Sequence, residues 1–251
     1  MSVLVESDGP VTIVTIDRPA RRNAVDPDTA VALRNAFTAF AADKNARVAI
    51  LTGSEGHFCA GFDLNAVETS RYDPDGPGPM GPTRMLLEKP VIAAVEGHAV
   101  AGGLELALWC DLRVAAESAV FGVYCRRWGV PLIDGGTVRL PRIVGQGRAS
   151  DLLYTGRSLG GEEAHQWGFF NRLAEPHALE AEAVTWAAEI AAGPNFAHAM
   201  TKRMLHQEWT MGVDEAIEAE AQAQAICMMT QDFHRAYHAF VAKQRPEFKG
   251  D

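Results

Sequence analysis

The stretch from residue 91 to residue 115 most restricts the folds open to this chain. Val91-Ile-Ala-Ala-Val95 is a short, wholly apolar run, as expected of a strand covered on both faces. Gly102-Gly-Leu-Glu-Leu-Ala-Leu108 opens on paired glycines and continues as a helix, and Leu112-Arg-Val-Ala115 is apolar again. Strand, Gly-Gly turn, helix and strand form a unit that needs a largely buried sheet, so the chain is expected to be α/β.

The flanking sequence repeats this arrangement. Val11-Thr-Ile-Val-Thr-Ile16 alternates like a strand and is ended by Asp17-Arg-Pro19. Asp26-Pro27-Asp28 places an N-cap acid before a proline at the first helical position, and Val31, Leu33, Phe37 and Phe40 continue that helix. Val48-Ala-Ile-Leu-Thr52, closed by Gly53, reads as another buried strand. Beyond about residue 145 the pattern is helical, over 148–153, 161–167, 179–192, 196–209 and 213–229, with Pro194 and Gly212 as breaks. Residues 73–82 (DPDGPGPMGP) are too rich in Pro and Gly for regular structure and are expected to form a mobile loop.

Composition removes several function classes. A 251-residue chain that is 47% hydrophobic can bury a sizeable core, and its net charge of −9 argues against a nucleic-acid surface. Residues 1–10 lack the basic and apolar regions of a secretory leader, and no apolar stretch has membrane-spanning length, so a cytoplasmic protein is expected. The four cysteines are scattered without a CxxC pair, which suggests neither zinc nor redox chemistry. Cys59, Cys110 and Cys227 read as small buried hydrophobes, and Trp109, Trp128 and Trp167 as core residues.

Three segments carry chemistry. His57-Phe-Cys-Ala-Gly-Phe-Asp-Leu64 follows a strand and places small residues where a backbone can approach a ligand. Glu96-Gly-His-Ala-Val-Ala-Gly-Gly-Leu-Glu-Leu106 leads a strand into a helix whose free N–H groups favour an oxyanion, with Glu105 close behind as a proton-transfer group. The third segment, residues 121–140, carries Asp134 before Gly135-Gly136; that aspartate reads equally as an acid–base group or as a turn residue. His57 and His98 flank the first two segments and are not counted as catalytic.

In this order and spacing the three segments resemble the crotonase (enoyl-CoA hydratase/isomerase) superfamily, and the resemblance runs from about residue 11 to residue 249. It implies a crotonase-like spiral of ββα repeats followed by a C-terminal helical trimerisation region. The division would be an acyl-CoA-binding core over residues 1–195 and an oligomerisation region over 196–251, in a homotrimer or a hexamer made of two trimers. The implied substrate is an acyl-CoA thioester, with CoA part of the substrate and no separate cofactor or metal. The implied oxyanion donors are the amides of Ala60 and Gly102. Arg21, Arg22, Ala60, Asp63, Leu64, Phe240 and Lys243 fall at CoA-contacting positions.

The chain departs from the hydratase pattern at one point. Glu105 matches the first of two hydratase glutamates, but the second position, four residues after Phe121-Gly122, is Cys125. A thiol of ordinary pKa about 8.5 orients water poorly. The adjacent Arg126 and Arg127 are cations that could activate it. Asp134 lies one residue after the position where superfamily isomerases and dehalogenases carry an acid. Three readings follow: an enoyl-CoA hydratase using Glu105, a double-bond isomerase using Glu105 with Asp134, or an acyl-CoA-binding protein without turnover.

Overall fold

The structure, a computed structural model, describes residues 2–70, 73 and 75–251. Among these residues six strands form one sheet in the order β1-β2-β3-β4-β6-β9 and three form a second in the order β5-β7-β8. The large sheet takes β1 (Val3–Asp8), β2 (Val11–Ile16), β3 (Val48–Gly53), β4 (Val91–Val95), β6 (Leu112–Ala116) and β9 (Arg172–Ala174). The small sheet takes β5 (His98–Val100), β7 (Val120–Gly122) and β8 (Ser158–Gly160). Each of β4 and β6 is therefore followed by a strand of the other sheet, so the chain winds between two layers. Only β1–β2 is antiparallel in the large sheet; its remaining pairs are parallel.

The apolar runs are continuous because both faces of the large sheet are covered. On one face, Val48, Ile50, Ile92, Ala94, Val114 and Ala116 meet α6 (Leu179–Ala191). That helix buries Leu179, Ala183, Ala187 and Ala191, spaced every four residues along one stripe. The other face, with Leu51, Ala93, Val95 and Ala115, packs on α1 (Pro27–Ala42) and α2 (Gly102–Trp109). Asp26 caps α1 by accepting from Thr29 N at 2.9 Å, and Leu33, Phe37 and Phe40 are buried, whereas Val31 faces outward.

The remaining helices are α3 (Gly136–Val144), α4 (Gln146–Thr155), α5 (Gly161–Gln166), α7 (Asn195–Gln207), α8 (Val213–Met228) and α9 (Gln231–Val241). Against their own chain the last three bury little: Ala223 on α8 and Asp232 on α9. No described helix is long and apolar enough to cross a membrane.

Two expectations are corrected. Trp128 is no core residue; it is 70% exposed at the end of the short 3-10 helix Tyr124–Trp128, while Trp109 and Trp167 do pack against the core. In the Pro/Gly-rich loop, Pro74 lies outside the described residues, and residues 75–82 have no regular structure, as expected. The loop is nonetheless anchored, because Met80 and Thr83 are buried.

A buried asparagine fixes the chain ahead of the first chemistry-bearing segment. Asn23, in the left-handed region at φ +58°, donates from Nδ2 to Ser54 O (2.9 Å) and His57 O (2.6 Å) and accepts from Arg18 N (2.8 Å). Asn23→Ala strands buried backbone groups and is expected to lower unfolding free energy by about 2–4 kcal/mol, as read by urea denaturation; a change below about 0.5 kcal/mol would contradict this account.

Candidate active site

Glu105 lies in the first turn of α2, and its carboxylate is buried under the turn that precedes α3. Oε1 accepts from the backbone N–H of Asp134 (2.7 Å) and of Gly136 (2.8 Å), and Oε2 from Ile133 N at 3.4 Å. Burial pushes its pKa up to about 7; the Gly136 amide opposes that rise and the neighbouring Asp134 charge adds to it. Near neutral pH such a group both accepts and releases protons. Arg113, itself buried, fixes the far end of α2 by donating to Ala107 O (3.3 Å) and Cys110 O (2.9 Å).

The first two chemistry-bearing segments run side by side. Cys59 N donates to His98 O (2.8 Å) and Val100 N to Cys59 O (3.1 Å), which lays Cys59 along β5 and brings Gly61 up to the start of α2. Ala101 turns the chain into the helix at φ +51°, ψ −122°. Gly102 follows as the first helical residue, where an N–H has no intrahelical acceptor. A Cβ there would sit 2.5 Å from the Met80 sulfur, so Met80 would have to move to admit a side chain.

The Ala60 amide, expected as the other oxyanion donor, is already committed to Arg22 O at 3.0 Å. Gly61 O and Asp63 N pair with Val25, and Gly61 N faces the Cys59 sulfur. Among the described residues between Phe58 and Asp63, the amide left without an acceptor is that of Phe62, next to the Gly61 that borders the start of α2. The sequence cannot distinguish neighbouring amides in a glycine-containing loop, because their direction depends on which strand the loop borders.

Of the other expected residues, Asp134 is buried, and its carboxylate is engaged. Oδ1 accepts from the Thr83 hydroxyl and from Met80 N (3.3 Å). Burial raises its pKa, while the Thr83 and Met80 bonds act the other way. Cys125 is half-buried on the 3-10 helix near Glu105, and burial, followed by the Glu105 charge, pushes its thiol up. The adjacent arginines do not activate it: Arg126 donates to Tyr154 O, and Arg127 lies 3.6 Å over the Tyr124 ring and donates to Gly156 O.

Asp63 is an internal anchor. It accepts from Asn65 N (3.1 Å), Asn65 Nδ2 (2.9 Å) and Arg18 (3.1 Å), and although burial opposes it these bonds hold its carboxyl below the ordinary range. Arg21, Arg22, Leu64 and Lys243 are exposed, and Phe240 is 80% exposed on α9. His57 and His98 sit with Nδ1 atoms 3.4 Å apart, and burial lowers the His98 pKa. Met80, Thr83 and Arg139 join the site without having been singled out in the sequence; none belongs to a pattern with chemistry of its own.

The family described as Enoyl-CoA hydratase/isomerase matches residues 6–251. The chain belongs to that family. It is 34% identical to a crotonyl-CoA hydratase of Syntrophomonas wolfei (98% of this chain, 97% of the relative). It is also 34% identical to a short-chain-enoyl-CoA hydratase of Clostridium acetobutylicum (98% and 97%). A carnitinyl-CoA dehydratase of Salmonella arizonae is 36% identical (99% and 98%). Among solved structures, an enoyl-CoA hydratase from Mycobacterium tuberculosis superposes with a TM-score of 0.95 at 36% identity, covering 100% of this chain and 99% of that one. The two-layer winding is thus the crotonase fold of this family.

Glu105 gives a stability test with a definite sign. Its folded pKa of about 7 lies above the ordinary 4.5, so its contribution is fully present below pH 4.5 and is lost as pH rises through about 7. Wild type is therefore expected to lose about 3 kcal/mol relative to Glu105→Gln across that interval. Urea unfolding at several pH values reads the difference, and a pH-independent gap would sink the assignment.

Proposed function

We propose that the chain is an enoyl-CoA hydratase that adds water to 2-enoyl-CoA thioesters, with Glu105 as its single acid–base group. The observation that carries this reading is the buried Glu105 carboxylate, held by three backbone amides beside the free N–H of Gly102. The names of the hydratase relatives support the same reaction.

The thioester oxygen would lie between the N–H groups of Phe62 and Gly102. Donors aimed at the developing enolate oxygen contribute about 2.7–4 kcal/mol each. Glu105 takes a proton from water as the oxygen bonds to C3, and returns that proton to C2 of the enolate. One carboxylate near neutral pKa serves both steps, so neither Cys125 nor Asp134 has to transfer a proton. No cofactor or metal enters this route.

CoA would reach the site past Arg21 and Arg22, whose charges suit phosphates, and past the Ala60 carbonyl and exposed Leu64. Asp63 would act by shaping that loop. Phe240 and Lys243 would serve a neighbouring subunit. The apolar surface that α8 and α9 leave uncovered, including Val213, Ile217, Met229 and Phe240, supports a homotrimer or paired trimers built by residues 196–251 on the 1–195 core. A cytoplasmic location fits this chemistry.

A second reading, double-bond isomerisation with Glu105 and Asp134 as its two carboxylates, is supported by the buried Asp134, whose N–H donates to Glu105 and whose carboxylate lies close enough to raise the Glu105 pKa. Mass and chromatographic analysis after incubation with crotonyl-CoA separates the two. A 3-hydroxyacyl-CoA product is expected, and Glu105→Gln should lower its rate by about 10²–10⁴. Cys125→Ala should stay within about tenfold of wild type. In wild type kcat/KM should rise as pH passes about 7, the Glu105 value, and that limb should vanish in Glu105→Gln. No hydration of crotonyl-CoA, with migration of the double bond in a 3-enoyl-CoA, would establish the isomerase instead.

A further inference from the structure

The mechanism leaves unused the loop that ends in Thr83, which is fastened to the site at several points. A Cβ on Gly78 would stand 2.2 Å from Asp134 Oδ1, so the loop backbone lies directly on that carboxylate. Gly81 N donates to Gly78 O at 2.9 Å, closing a turn with Met80 inside it. Met80 N and the Thr83 hydroxyl both donate to Asp134 Oδ1. Arg139 bridges the two sides, donating to Thr83 O and to Asp134 O at 2.8 Å each. The result is a buried Met80 side chain lying against Gly102.

We propose that Met80, latched over the Gly102 turn by the Asp134–Thr83 hydrogen bond, sets the length of acyl chain that the site accepts. The proposal rests on the acyl-CoA reading above. A thioester oxygen bound at Gly102 N–H places the start of the acyl chain beside Gly102, and Met80 is the side chain that fills this space. It is apolar, as an acyl pocket requires, and unbranched, so it can shift for a short chain while still blocking a long one.

Asp134 is a positioning residue in this arrangement. Its side chain holds the wall of the pocket while its main-chain N–H holds Glu105 at 2.7 Å. The wall and the acid–base group are thereby registered to each other through one residue. Thr83 is the second positioning residue, acting through Asp134.

The test measures binding of butyryl-, octanoyl- and dodecanoyl-CoA by calorimetry, beside turnover of the matching 2-enoyl-CoAs. Wild type, Met80→Ala, Thr83→Val and Thr83→Ser are compared, each checked for folding by circular dichroism. Wild type should favour butyryl-CoA. Met80→Ala should raise the dodecanoyl-to-butyryl affinity ratio by about tenfold or more, in line with the discrimination an apolar pocket gives per methylene. Thr83→Val should move the ratio the same way, and Thr83→Ser, which keeps the hydroxyl, should restore it.

A ratio within about twofold of wild type in folded Met80→Ala overturns the proposal, as does wild type binding dodecanoyl-CoA as tightly as butyryl-CoA. If Met80→Ala does not fold, an unchanged ratio in Thr83→Val overturns it. A shifted ratio without hydration defeats the hydratase reading and leaves the role of Met80 standing. Hydration with an unshifted ratio defeats only the role of Met80. Failure of folded wild type to bind any of the three esters overturns both.

Discussion

The site depends on a carboxylate kept in a place that disfavours its charge. Glu105 is buried on a helix, and its oxygens are met by main-chain amides of the turn at 133–136. Amides cannot be titrated and hardly move, so they orient the carboxylate without supplying a full charge to neutralise it. An arginine in their place would hold Glu105 ionised and end its usefulness as a proton donor. The balance between burial and amide dipoles leaves the proton equilibrium near neutrality. Much of the surrounding structure serves to keep that turn above α2, from the Arg113 contacts at the helix end to the Arg139 bridge across the loop.

Under the proposed hydratase reading, Cys125 stands where the resemblance implies a second glutamate. The environment of Cys125 does not compensate, because burial and Glu105 both oppose thiolate formation and the nearby guanidinium groups turn toward the end of α4. Asp134 has its Oδ1 tied to two donors, Met80 N and the Thr83 hydroxyl. In the proposed reaction Glu105 is then the one acid–base group. This is chemically sufficient when the proton taken from water is the one delivered to carbon.

Much of the fold was legible because it follows from local rules. The apolar runs at β2, β3, β4 and β6, the Asp-Pro start of α1 and the four-residue stripe of α6 each appear in the sequence as structure-specific patterns. The three-residue strands β5, β7, β8 and β9 did not, since so short a segment has no period to read. Edge strand β1 buries Val3 alone and so lacks alternation. In the site, Glu105 and Gly102 were visible through the Gly-Gly-helix pattern. The choice between the Ala60 and Phe62 amides was not, because it rests on pairing with Val25 and Arg22, more than thirty residues earlier in the chain. Thr83 and Arg139 were silent for the same reason: Thr83 meets Asp134 and Arg139 meets Thr83 more than fifty residues away in the chain.

Ala101 carries a cost with an evolutionary side. Its backbone, at φ +51° and ψ −122°, is a conformation that glycine adopts freely and alanine does not. A strained residue of this kind costs on the order of 1–3 kcal/mol. Glycine would remove the strain but would also let the turn sample neighbouring shapes, and the direction of the Gly102 amide would spread with it. Rigidity at this hinge is therefore retained at the expense of resilience to heat. Any stabilising substitutions that accumulate in such a chain should gather in the sheet and in α6, away from this one peptide.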